Sequence, residues 1–364
     1  MAVNNLASPF EACLKMQNAL DGTKNAPGNI QEIRGMLGAL NSPQNLTDSP
    51  IIDMGTLRGK GKPTASGTGV DLYVDYVAPQ CDAVATSLNG LCGDQTDRGD
   101  DRKSIDIVVD QIAAKSGEFT EAEFDTLCDT PNARQLRLIR KDAKDILNGM
   151  NKKLVELAYN QVGTYADGTT NSQTAPKTIN ILNGAGHVNP AATGTIANEH
   201  FMMHDGDAPI VVGGNIFNAA RLTRQSGGLG ANAIGANANA PQPVVEYTDS
   251  HIDAVIQGLA TTTDNYALSW SSGAMQIVEW FNYEGYKEKL HAPHYLKTTI
   301  NIDGHKFDYT LRYDECNDKW QWELSKNYTL FYIPTAAYGS CMNGNRKLLW
   351  KLACGDFACG QYSF

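Results

Sequence analysis

The longest apolar pattern in the chain lies between Pro131 and Val162. Leu136, Ile139, Ala143, Ile146, Leu147, Met150, Leu154, Leu157 and Ala158 recur at steps of three and four, which puts them on one side of an α-helix. Thr130 stands where a cap belongs and Pro131 fills the first helical position, whose N–H has no partner in any helix. Gly163 follows the last periodic residue, as a C-terminal cap would. The other faces carry Arg134, Arg137, Arg140, Lys141, Asp142, Lys144, Asp145, Lys152, Lys153 and Glu156. At 1.5 Å per residue such a helix is roughly 45 Å long. Gly149 is its weak point, at about 1 kcal/mol against alanine, and a bend there would let the helix follow a curved surface. The pattern fits a spine laid across a sheet or a subunit surface. It also fits an ordinary long helix of a globular domain.

Period-two alternation marks Val70–Val77, with Val70, Leu72, Val74 and Tyr76 on one face, and a second strand from Ser104 to Asp110. A polar loop with Cys81 and Cys92 and a charged turn from Asp94 to Lys103 separate them. The preceding segments, Gly55–Pro63 and Ala65–Gly69, read as flexible and basic. Two strands of this kind are marginal alone. They predict either an extended two-stranded projection packed on another chain or two edge strands of a larger sheet. In the first reading the contact residues are Arg58, Lys60, Lys62, Tyr73, Tyr76, Arg98 and Arg102.

Elsewhere the elements are short. Residues 1–50 read as an arm, with turns of helix at Pro9–Met16 and Ile30–Leu40, too few large apolar residues for a domain, and a need to lie on something else. Thr120–Glu123 is a capping box that opens a short helix through Leu127. Strands are expected at Thr178–Leu182, Ala208–Gly213, Val244–Tyr247 and Tyr266–Trp270. Helices are expected at Ile216–Leu222, at Asp249–Ile256 and, after Ser271–Ala274, at Met275–Phe281. Residues 183–200 read as loop with a turn of helix at their end, and Ser226–Pro243 as a surface loop. The C-terminal third reads as antiparallel sheet. Phe307, Tyr309, Leu311 and Tyr313 face Trp320, Trp322 and Leu324 across a turn at Cys316–Asp318, a further strand runs Tyr328–Ile333, and a tail runs from Leu348 to Phe364.

Composition narrows the classes. A net charge of −10 over 364 residues argues against a nucleic-acid grip of the usual basic kind. No apolar run approaches membrane-spanning length, and the N-terminus has no charged start followed by an apolar core, so a cytosolic origin is expected. The 8 cysteines form no Cys-x-x-Cys and permit disulfides without arguing for them. Chemistry is thinly represented. Glu199-His200-x-x-x-His204 lacks the glutamate between the histidines that a zinc protease needs. His291 and His294 flank a proline, as surface-loop residues do. Ser271-x-Gly273 is only part of a nucleophile elbow. The glycine-rich run from Gly227 has neither the strand–helix context of a dinucleotide loop nor the Gly-Lys-Ser/Thr of a phosphate loop. No catalytic residue, cofactor or metal is expected. The chain reads as architecture, with a soluble α+β hydrolase using one of the cysteines as the least favoured alternative.

The run Tyr266–Gly285 resembles a segment of the major capsid proteins of tailed double-stranded DNA bacteriophages, most of all those of phages infecting Bacteroidetes. Gly273, Ala274, Gln276, Trp280 and Gly285 carry the likeness, with Ser272 where proline is commoner. The hairpin Phe307–Leu324 and the run Pro209–Gly214 are similar to further segments of the same proteins, in the same order. The resemblance implies an α+β capsid fold. Its parts would be an N-terminal arm (1–50), an extended β-loop (51–115), a peripheral domain with a spine helix (116–165), an axial domain (166–285), a peripheral hairpin (286–325) and an axial completion (326–364). It also implies a shell of hexamers and pentamers of this chain around packaged double-stranded DNA, touched non-specifically on the inner face. Portal, scaffolding and decoration proteins would be further partners, the virion its location, and the host bacterial cytoplasm its place of assembly. The alternative within the same class is another virion component, a tail tube or adhesion protein.

Overall fold

A computed structural model describes residues 35–43, 45, 58–63, 70–77, 102–120, 131–162, 176–182, 189, 192–203, 209–225, 245–282, 291–292, 295–314, 316–317, 319–332 and 347–354. The fold is mixed α+β, built on two sheets, a β-ribbon and one long helix.

The ribbon has three strands: β1 (Arg58–Pro63), β2 (Val70–Val77) and β3 (Arg102–Val109), all antiparallel. The basic stretch expected to be flexible is therefore a strand, and the expected two-stranded projection gains a third member. Alternation gave no sign of it, because Arg58-Gly-Lys-Gly-Lys-Pro63 has no apolar position to alternate. In β2 and β3 the apolar positions Val70, Leu72 and Val74 pair with Val109, Ile107 and Ile105.

After β3 a single residue, Asp110, leads into β4 (Gln111–Thr120), an edge strand of the six-stranded sheet β10-β11-β12-β13-β4, with β9 paired to the end of β13. Its core is a meander of β11 (Tyr295–Ile302), β12 (His305–Asp314) and β13 (Lys319–Tyr332). The expected aromatic hairpin is there, with Tyr313 opposite Trp320, Leu311 opposite Trp322 and Tyr309 opposite Leu324. The strand read separately at Tyr328–Ile333 is the continuation of β13. β10 is the short pair His291–Ala292. A strand replaces the helix expected over Met275–Phe281. Met275–Trp280 forms β9, paired with Asn327–Tyr332 where β13 has run past the end of β12. Six residues are too few for helical periodicity to outweigh an open strand edge, and Ile277, Val278 and Trp280 favour the sheet. β4 lay hidden because most of it is exposed and one of its closest contacts is made at a glycine. A Cβ on Gly117 would stand 2.6 Å from the Trp322 ring.

The second sheet has the order β5-β14-β8-β6-β7 and is mixed: β6 (Pro209–Gly213) runs parallel to β7 (Val245–Thr248), and β14 (Lys347–Ala353) parallel to β5 (Lys177–Asn180). β8 (Asn265–Ser271) runs antiparallel to both β6 and β14. Both faces are covered, so β6 is buried throughout, which explains its unbroken apolar run. Val211, Ala267, Leu348 and Trp350 pack with α3 (Ala192–Met203) and α4 (Asn215–Gln225) on one face. Ile210, Val212, Leu268, Trp270 and Leu349 join the main core on the other. That core includes α1 (Met36–Leu40) and α5 (Ser250–Ala260). α3 is a full helix where a loop with one turn was expected. Cys354, just past β14, is disulfide-bonded, and Cys316 is a free exposed thiol.

The long helix, α2 (Pro131–Asn160), lies across β4 and β13 and against α5. Ile139, Ala143, Ile146, Leu147, Met150, Leu154 and Ala158 are buried as expected and Leu157 is half-buried. Asn151, Val155 and Tyr159 are buried as well, so the covered face is wider than the stripe. The side chain of Leu136 and the whole of Arg98, Gly285, the capping box after Thr120, and the Ser226–Pro243 loop lie outside the described residues. So do Thr130 and Gly163. Thr120 itself ends β4.

Two predictions follow from this packing. Gly149 is exposed and a Cβ there would meet nothing within 4 Å, so no contact requires glycine. Gly149→Ala should raise urea stability by about 1 kcal/mol; a loss would reveal a conformational demand on that turn. The second concerns Lys347, 7% exposed with its ammonium 4.7 Å from the centre of the Tyr332 ring; burial pushes its pKa down from 10.5 to about 8. Between those values the unfolded chain holds a proton that the folded chain has released, so stability rises with pH. Burial of Tyr328 raises its pKa from 10.0 to about 12 and reverses the trend above pH 10. Urea titrations should show stability rising from pH 7.5 to 9.5, and Lys347→Met should remove on the order of 2 kcal/mol of that rise.

Candidate functional site

The described residues place the candidate assembly residues on the ribbon. Arg58, Lys60 and Lys62 are on β1, Tyr73 and Tyr76 on β2, and Arg102 at the start of β3. Backbone register puts Arg58 opposite Tyr73 and Tyr73 opposite Asp106, one row across three strands, while Tyr76 lies opposite Lys103. The ribbon is rooted in the body of the chain. Ile107 and Val109 are buried while Val108, between them, is exposed, and Thr329 donates from its Oγ1 to Asp110 Oδ1 at 3.4 Å.

The residues that carry the Tyr266–Gly285 pattern have a structural job that sequence alone did not reveal. Gly273 has φ +77 in a turn closed by Ala274 N–H donating to Ser271 C=O, a backbone that favours glycine. The turn clasps Asn45. The Oδ1 of Asn45 accepts from Gly273 N–H and from Trp270 Nε1, each at 3.1 Å, and its Nδ2 donates to Leu40 C=O and Met275 C=O at 2.9 and 2.8 Å. Gln276 Nε2 donates to Asn45 C=O at 3.4 Å. Asn45 is fully buried. The motif is a socket for the N-terminal segment, and Trp280 continues β9 beyond it.

A second fastening lies on the other side of that segment. Asp249 caps α5 by accepting from His251 N–H at 2.9 Å, and its Oδ2 accepts from Met36 N–H at 3.0 Å and from Asn151 Nδ2. Asn151 Oδ1 in turn accepts from Leu37 N–H at 2.8 Å. Two side chains thus satisfy the first N–H groups of α1, which has no side-chain cap of its own. They tie α1 to α2 and α5. For its described part, what the N-terminal arm lies on is the rest of this chain. Met36, Leu37, Ala39 and Leu40 are buried in this chain's own core.

The residues with possible chemistry are used structurally. His200 is fully buried, with Nδ1 2.9 Å from Ser269 Oγ and Nε2 3.1 Å from Ser271 Oγ; Trp350 Nε1 donates to Ser269 Oγ at 2.7 Å. This histidine is a cross-brace between α3 and β8, sealed from any substrate. His204 and His294 lie outside the described residues, and among the described residues no group of three or more His, Cys, Asp or Glu is placed to hold a metal. The outer face of the six-stranded sheet bears a shallow polar trough of about 680 Å³ whose lining includes Glu118, Lys297, Arg312 and Glu323. Arg312 Nε there donates to Gln321 Oε1 at 2.7 Å, a cross-strand pairing.

The exposed side of α2 is cationic. Arg137, Lys141, Lys144 and Lys152 are all exposed, in a chain whose net charge is −10. Asp145 lies 3.9 Å from Lys115, Glu156 2.6 Å from Lys153, and Arg140 3.7 Å from Asp303. Partial burial and the neighbouring Asp145 raise the pKa of Asp142.

No protein-family model matches the chain, and no curated protein is similar to it. Among the solved structures similar to it are chains from phages. A chain of Mycobacterium phage Che8 is 12% identical with a TM-score of 0.41, covering 78% of this chain and 84% of that one. A chain of the Ralstonia phage GP4 capsid is 10% identical with a TM-score of 0.41, covering 83% and 87%. A chain of the mature capsid of bacteriophage PhiM1 is 10% identical with a TM-score of 0.41, covering 81% and 85%.

The Asp249 fastening generates a prediction. Asp249→Ala removes a helix cap and strands two buried donors, so it should cost about 3–5 kcal/mol in denaturant unfolding. Asp264→Ala, which removes the half-exposed ion pair with Lys351, should cost less than about 1 kcal/mol.

Proposed function

We propose that this chain is a shell-forming structural protein, a major capsid protein of the tailed-phage kind. Its copies assemble as hexamers and pentamers of an icosahedral shell around double-stranded DNA. One observation carries the reading: a three-stranded ribbon, 58–63, 70–77 and 102–109, springs from the edge of the six-stranded sheet with a single residue between β3 and β4. Three strands stand only if an apolar face is covered; the paired positions Val70 with Val109, Leu72 with Ile107 and Val74 with Ile105 form such a row, and a second copy of the chain supplies a surface for it. The sequence likeness at Tyr266–Gly285 supports the same reading. In it, α2 is the spine of a peripheral domain, the β5–β8 and β14 sheet belongs to an axial domain, and the ribbon is the intersubunit arm that Arg58, Lys60, Lys62, Tyr73, Tyr76 and Arg102 equip with contacts. Portal, scaffolding and decoration proteins are its further partners, and the virion its location.

Size-exclusion chromatography and negative-stain imaging of the purified chain test this. Closed shells or flat arrays of six-fold units are expected, and a monomer at every salt concentration would overturn the proposal. Replacing residues 57–104 by a short Gly-Ser linker keeps Ile107 and Val109 in place. It should leave the thermal transition of the body within a few degrees and abolish closed shells. Shells formed without those residues would show that the contact lies elsewhere.

A further inference from the structure

The exposed side of α2 carries charge of mostly one sign. The helix holds seven Lys and Arg against three Asp and Glu, in a chain with 30 of the former and 40 of the latter. Arg137, Lys141, Lys144 and Lys152 follow steps of four, three and eight, which a helix of 3.6 residues per turn stacks into one ridge. The ridge is roughly 22 Å long at 1.5 Å per residue, and the remaining position on its line, Asn148, is exposed and neutral. Of the carboxylates that flank it, Asp145 stands by Lys115 and Glu156 by Lys153, while Asp142 feels both Lys115 and the ridge's own Lys141, which leaves the ridge and its flanks with a net positive charge. Over residues 137–152 the ridge positions are exposed while the opposite side is held down on β4, β13 and α5; beyond Lys152 the same line passes under cover at Val155 and Tyr159. A stable globular fold does not require four exposed cations in line, and mutual repulsion disfavours it slightly.

We propose that this ridge is the surface that meets the phosphate backbone of double-stranded DNA. The inference rests on the capsid reading and adds to it which face of the subunit points toward the packaged duplex. The ridge is a single line of cations on one helix, an arrangement that can track phosphates and not base edges. It therefore suits contact with phosphates in any sequence, at a strength set by counterion release. Four cations per chain make a weak site, and repetition over many copies of the chain turns weak sites into a strongly attractive wall. The overall acidity of the chain does not oppose this, because charges more than about 10 Å away are screened at 0.1 M salt.

The test uses the unassembled full-length chain and a 30-base-pair duplex of arbitrary sequence, with binding followed by fluorescence anisotropy from 50 to 200 mM salt. For the natural chain, affinity should fall about 100-fold over that range, as four phosphate contacts require. In the triple variant Lys141→Gln, Lys144→Gln, Lys152→Gln the fall should shrink to about 4-fold. A control with the same loss of charge on the other sheet face and hairpin, Lys297→Gln, Lys306→Gln, Lys319→Gln, should keep the natural salt dependence. Equal salt dependence in the natural chain and the ridge variant overturns the proposal, as does no binding by the natural chain at 50 mM salt. A ridge variant that binds DNA as before and forms no shells also overturns it, and makes the ridge a contact between subunits. Imaging of the natural chain separates this from the broader reading: the absence of shells sinks the capsid assignment, whatever the DNA result.

Discussion

Two buried side chains, Asp249 and Asn151, hold the architecture together. Asp249 Oδ2 and Asn151 Oδ1 both accept from α1, Asp249 Oδ1 accepts from α5, the Asn151 amide joins α2 to Asp249, and Asp249 N–H donates to Gly213 C=O, so α1, α2, α5 and the end of β6 meet at one point. The geometry is demanding because the site is nearly sealed from water, where an unmatched donor costs about 1–3 kcal/mol. Apolar packing alone would let α2 slide or turn on its bed of leucine and isoleucine. A hydrogen-bond pattern with one solution fixes its register. From that register follow the direction in which the cationic ridge points and the line along which β4 and β13 leave the helix.

The second fastening, Asn45 in the Gly273 turn, works in the same way on the opposite flank. Between them the two anchor points thread residues 35–45 through the centre of the molecule. Part of the arm that joins the chain's start to its ribbon is thereby built into the core. A peptide of this length with four buried apolar residues has little stability alone, and it becomes structure because side chains from distant parts of the sequence supply its missing hydrogen-bond partners.

How much of this was legible in the sequence depended on whether burial left a pattern. α2 and the Tyr313–Trp320 hairpin were readable because each has the period of its own geometry, and β6 because burial on both faces makes a short continuous apolar run. β1 and β4 were not, since a strand made largely of glycine, lysine and small residues offers too few apolar positions to show a period. β11 was missed although Asp303-Gly304, both with positive φ, is the strongest short hairpin signal the chain contains. The β9 segment was misread because a stretch of six residues cannot show which period it follows, and the deciding partner lay some fifty positions away in β13. The Gly273–Gln276 motif was recognisable as a pattern, yet its role as the seat of Asn45 involves a residue more than two hundred positions distant. The ion pairing that leaves the α2 ridge cationic was equally invisible, because Lys115 belongs to another element.

The junction at Asp110 gives the molecule a mechanical character. With one residue between β3 and β4, and Ile107, Val109 and Asp110 all held by the body, there is no slack to absorb a pull on the ribbon. Load applied at its far end runs along β3 into β4, and from there as shear into the ladder with β13, which distributes it over ten paired positions. A strand pair loaded along its length resists as a unit, where one loaded crosswise would open bond by bond. A pull on the ribbon is thus passed to the sheet beneath the long helix rather than taken up at the junction.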